Sequence, residues 1–226
     1  MYTPLNRLAL LAEQRDWEGM NCLLEGLGAS ASRLASAKLS AEILPNLQAS
    51  DFAHCFATIV PTNPKAYLGT FLKVAAGRYK KGELTLEDCG FSEFAPVATA
   101  ADVEKILSAM LPVVQTSGEV VRLLEMFRLN DAEERAMCLL KAPSPPTCYV
   151  LFLDMRRLDS RPDLLTHICH LLMAGRTRLG YNLAAICKSY FDLTEVRGRF
   201  SLNLSPFQLS SLEQSEEAFL KILLSI

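Results

Sequence analysis

The sequence predicts an all-α fold of about ten helices, set as antiparallel pairs in an irregular bundle or a short superhelical stack. Three observations carry that prediction. At Thr3-Pro4, Asn63-Pro64 and Ser205-Pro206 a good N-cap residue precedes a proline, and apolar residues at helical spacing follow. Proline loses nothing at the first helical position, where its missing N–H would be unsatisfied anyway. The glycines mostly sit where an apolar pattern stops, as helix ends require. Half of the 226 residues are hydrophobic and the net charge is −2, a composition that builds a core and excludes disorder.

The elements follow in order. Pro4 opens a helix to about Gln14, with Leu5, Leu8 and Ala12 on one stripe. Asp16 caps a second, Trp17 to Leu27, which Gly26 and Gly28 can stop. A third runs from about Ser32 to Leu44 and ends at Pro45; a fourth, capped by Ser50, reaches Val60. The most regular is Pro64 to Lys80, where Tyr67, Leu68, Phe71, Leu72, Ala75 and Tyr79 recur every third or fourth residue. Residues 83–99 hold at most one short helix near Phe91–Phe94. Thr99 with Asp102 caps a helix through Leu111, Gly118–Leu129 forms the next, and Asp131 with Glu134 opens another to Lys141.

The stretch 142–147 is proline-dense and reads as a linker. A single domain is expected, with any subdomain seam there. Cys148–Met155 is apolar enough for a buried helix and β-branched enough for a buried strand, and periodicity does not separate the two. Residues 199–204 alternate apolar and polar, so a small β-hairpin of 148–155 with 199–204 is the minor option. Ser160 with Asp163 reads as a capping box for a helix through Gly175. Arg178–Phe191 follows, and Pro206 opens the last helix, which carries Leu212, Phe219, Leu220 and Leu223 on one face. No fixed repeat period is visible.

Composition narrows the function classes. Near-neutral charge gives no global pull toward nucleic acid or an anionic membrane. The longest apolar run, Tyr149–Leu153, is far short of the roughly 18 residues that span a bilayer. The Met1–Gln14 stretch does not read as a secretory signal. Seven cysteines without a C-x-x-C pair read as reduced core residues, which places the protein in the cytoplasm as an expectation.

Two constellations are candidate sites. The segment 156–199 holds eight basic residues against four acids, and arginine dominates. Arg156, Arg157, Arg161, Arg176 and Arg178 could bind a phosphate-bearing ligand or acidic partner, because guanidinium groups bind such oxygens bidentately. Arginines at helix ends also serve to satisfy carbonyls and cover apolar surface. Asp163, His167 and His170 fall within a helical sector of about 60°, so a carboxylate and two imidazoles could ligate a metal. Asp163 is equally explained as a capping acid, and His at i, i+3 is the less usual zinc spacing.

No phosphate-cradling glycine loop or nucleophile elbow is present. The acid-rich start at Asp131, Glu133 and Glu134 argues against a DNA-reading helix–turn–helix. His54 reads as a polar neighbour of Phe52 and Phe56, and Trp17 as a core aromatic. The expectation is a non-enzymatic protein–protein interaction module: an adaptor, assembly factor or chaperone-like subunit, with another protein as partner and no cofactor. The alternatives are a phosphate-ligand or nucleic-acid binder through 156–199, and a metal-dependent enzyme on Asp163, His167 and His170.

Overall fold

A computed structural model describes residues 4–196 and 202–226. Among the described residues every regular element is helical. The chain divides into two compact units, Met1–Val113 and Val114–Ile226. The first holds α1 (Pro4–Glu13), α2 (Trp17–Glu25), α3 (Ala29–Lys38), α4 (Ala49–Ile59), α5 (Pro64–Lys80), α6 (Phe91–Phe94) and α7 (Ala100–Met110). The second holds α8 (Ser117–Met126), α9 (Ala132–Leu139), α10 (Pro145–Arg157), α11 (Pro162–Ala174), α12 (Arg178–Phe191), α13 (Pro206–Gln214) and α14 (Glu216–Ser225). Among the described residues fourteen α-helices thus replace the expected ten.

The first unit is built on phenylalanine. Phe56 on α4 meets Phe71, Phe91 and Phe94 edge-on, at ring-centroid distances of 5.5, 5.5 and 5.8 Å. Such pairs contribute about 0.5–1.5 kcal/mol each beyond their burial. Gly90 lets the chain cross α4 at that point. Its φ is +73°, and a Cβ there would lie 2.9 Å from the Ala53 carbonyl oxygen. Arg78 on α5 is buried in this unit. Its Nη1 donates to the Leu44 carbonyl at 3.0 Å, its Nε to Glu83 at 3.2 Å, and its guanidinium sits 5.7 Å from the Phe52 ring centroid.

The second unit is built around α10. Pro146 to Phe152, Asp154 and Met155 are all buried, and α8, α9, α12 and α14 pack about them. A helix buried on nearly every side has no amphipathic stripe, which is why 148–155 was ambiguous by pattern. The strand option is overturned there. Residues 202–204 are neither helix nor strand, and 199–201 lie outside the described residues.

The stretch 142–147 is a helix start inside the second unit. Ser144 forms a capping box with Thr147, and Pro145 and Pro146 occupy the first turn. The first-turn N–H groups have no intrahelical acceptor, so two prolines there lose nothing. Other caps fall as expected at Asn63, Thr99 and Ser205. Asp131 accepts from the N–H groups of Glu133 and Glu134. Ser50 is not a cap, since α4 starts one residue earlier behind Gln48. Ser160 and Asp163 form no capping box; the N-cap position belongs to Arg161, without a side-chain bond. The expected last helix breaks at Ser215, which ends α13 and caps α14.

A local unit recurs at unequal separations. Leu-Leu-x-x-x-Arg occurs at 10–15, 123–128 and 171–176, each time at a helix end. Arg15, Arg128 and Arg176 all adopt left-handed backbone, at φ +57°, +57° and +51°. In the first two, the next residue's N–H closes on the second leucine's carbonyl, at 2.9 Å for Asp16 to Leu11 and 3.1 Å for Leu129 to Leu124. That bond satisfies an orphan carbonyl and turns the chain back sharply. The second leucine, Leu11, Leu124 or Leu172, is buried every time.

The α1–α2 and α11–α12 hairpins share more. In both, the residue after the left-handed arginine caps the next helix through a glycine N–H. Asp16 accepts from Gly19 at 2.8 Å and Thr177 from Gly180 at 3.0 Å. Two residues past each glycine is a buried asparagine. Asn21 accepts from the Thr62 hydroxyl at 2.7 Å, and Asn182 donates to the Leu223 carbonyl at 2.7 Å.

Candidate functional site

The structure does not bring the five arginines together. Arg156 pairs with Glu213 at 2.8 Å, Arg157 with Asp154 at 3.3 Å and Arg161 with Glu133 at 2.5 Å. These three lie at the α10–α11 turn. Arg176 and Arg178 are exposed at the α11–α12 turn, at the other end of α11. A helix of 13 residues separates the two groups by about 20 Å. Arg197 and Arg199 fall outside the described residues.

The strongest charge in this region is buried. Asp154 accepts from Arg135 Nε at 2.9 Å, with side-chain exposures of 1 % and 8 %. Burial pushes the Asp154 carboxyl above its ordinary value, while Arg135 and Arg157 pull it back. A pair of this kind fixes α9 against α10.

Asp163, His167 and His170 are exposed on α11. Among the described residues no group of three or more His, Cys, Asp or Glu side chains is placed to hold a metal. Four of the buried thiols are no better placed for chemistry. Burial pushes Cys89 and Cys148 up to about 12, and Cys55 and Cys187 upward as well. A protonated thiol is neither a nucleophile nor a metal ligand.

The feature that sequence reasoning missed is an open cleft of about 590 Å³ in the first unit, at the start of α2. One wall is Arg15, Asp16, Trp17, Glu18 and Asn21; the other is His54, Ala57 and Thr58 from α4, closed by Pro61 and Thr62. The fold sets this wall directly. The left-handed Arg15 turns α1 back, Asp16 caps, and Trp17 therefore begins α2 at the cleft, half-buried. Asn21 holds the base by accepting from Thr62, whose hydroxyl also lies 2.9 Å from the Ile59 carbonyl. The Thr58 hydroxyl donates to the His54 carbonyl at 2.9 Å. Both hydroxyls are thus committed to acceptors other than an imidazole, so the wall offers no hydroxyl–base pair. Arg15 is paired with Asp51 at 3.2 Å, so its charge is answered within the protein. Asp16 and Glu18 remain as carboxylates on the rim. A smaller cleft of about 400 Å³ lies between α1 and residues 42–47, lined by Ala9, Ala12, Glu13 and Ile43.

No family model, curated protein or solved structure shows significant similarity to this chain. Among the described residues no helix is long and apolar enough to cross a membrane. The geometry of the site is therefore what bears on function.

Proposed function

We propose that this protein is a non-enzymatic protein–protein interaction module, an adaptor, assembly factor or chaperone-like subunit. The observation that supports the reading is the α2–α4 cleft. It is open, it has a polar rim, and it exposes part of the chain's one tryptophan. Tryptophan concentrates binding energy at interfaces because its large apolar ring needs few torsions fixed and its N–H remains available. The cleft's volume is in the range of ligand sites, but its walls offer binding groups without a nucleophile and base in register.

The test is co-purification of the tagged full chain from its native cell. The expected result is a stoichiometric partner that Trp17→Ala loses while its urea midpoint stays near that of the parent. Absence of any stoichiometric partner, or a partner that Trp17→Ala retains at full yield, contradicts the proposal.

A further inference from the structure

We infer that the α2–α4 cleft is the dock for a basic segment of the partner protein, with a lysine or arginine side chain packed on Trp17 and its charge answered by Asp16 and Glu18. This rests on the interaction reading above and names the partner's chemistry. Three observations carry it. The cleft is large enough for a long side chain with its flanking backbone. The indole N–H of Trp17 has no hydrogen-bond partner among the described residues, and the part of its ring that remains exposed is the aromatic surface a cation prefers. The rim's charge is also unbalanced toward the acids, because Arg15 is already engaged by Asp51.

The hairpin does not itself impose this chemistry. In α11–α12 the positions of Asp16, Trp17 and Glu18 are taken by Thr177, Arg178 and Leu179. Thr177 caps its helix without a charge. An uncharged cap, a non-aromatic first residue and an apolar second residue therefore make the same turn. The acids and the indole at α2 exceed what the turn needs.

The chain's one tryptophan makes the cleft its own reporter. A short lysine- and arginine-rich peptide is titrated into the full-length protein and Trp17 emission is followed, beside a glutamate-rich peptide of equal length. The basic peptide is expected to give a saturable emission change that weakens with salt, and the acidic one none. Asp16→Asn combined with Glu18→Gln removes both charges while keeping a good cap, and should weaken binding about tenfold or more. Equal response to both peptides overturns the inference, as does undiminished binding by the double variant. Self-association of the free chain that Arg178→Gln abolishes also overturns it, because the occupant would then be a second copy. Loss of a native partner in Trp17→Ala without loss in the double variant overturns only the inference and leaves the interaction reading standing. Absence of any native partner, by contrast, removes the reading on which it rests.

Discussion

The α1–α2 and α11–α12 hairpins are made by one set of local instructions and present opposite surfaces. Each ends a helix on Leu-Leu-x-x-x-Arg with the arginine left-handed, caps the next helix on a glycine N–H and buries an asparagine two residues later. Yet the first two residues of α2 are Trp17 and Glu18, and those of α12 are Arg178 and Leu179. What the two share is what the turn requires. What they do not share is free to serve recognition, and that difference singles out the acidic, aromatic rim of the first unit.

The largest expected effect contrasts the units' buried arginines. Arg135→Ala strips Asp154 of its main partner in the interior of the second unit and should cost about 3–5 kcal/mol in urea unfolding. Arg78→Ala leaves a carbonyl and a half-exposed Glu83, for about 1–3 kcal/mol. Equal losses would break the comparison. The pH dependence has a definite sign. A carboxyl whose folded value is raised takes up its proton more readily folded than unfolded. The Arg135→Ala deficit should therefore shrink as pH falls through the raised value toward the ordinary 3.8.

Glycine separates the hairpins next. A Cβ on Gly180 would lie 2.6 Å from the Leu172 carbonyl oxygen, backbone that cannot swing away. Gly180→Ala should cost about 1–3 kcal/mol by differential scanning calorimetry. At Gly19 the clash, at 2.3 Å, is with the Asp16 carboxylate, which can rotate at the expense of its cap bond. Gly19→Ala should cost about 1 kcal/mol. The smallest effect is a gain. Arg176→Gly relieves left-handed strain and should stabilise by up to about 1 kcal/mol. Arg15→Gly gains less, because it also removes the ion pair with Asp51, whose arginine is largely exposed.

Much of the fold was legible because caps are local. Asn63, Thr99 and Ser205 announce their helices within four residues. What was not legible depends on distant partners. The apolar stripe of Leu212, Phe219 and Leu223 keeps helical spacing across Ser215, so it hides the break that Ser215 caps. α10 lost its pattern by being buried on nearly every side. The arginines looked like a site because Glu133 and Glu213, which bind Arg161 and Arg156, are remote in sequence. Trp17 looked like core because tryptophan usually is. The signal that could have found the cleft was the match of Arg-Asp-Trp-Glu-Gly-Met-Asn at 15–21 with Arg-Thr-Arg-Leu-Gly-Tyr-Asn at 176–182. It isolates the positions that differ.

The most direct measurement places one photo-crosslinking residue at Ala57, inside the cleft, and in a separate variant at Leu179 on the other hairpin. Both full-length proteins are irradiated in the native cell. A discrete adduct is expected from position 57, suppressed by excess basic peptide, and none from position 179. An adduct from 179 of equal yield, or one from 57 that the basic peptide leaves untouched, would contradict the α2–α4 dock.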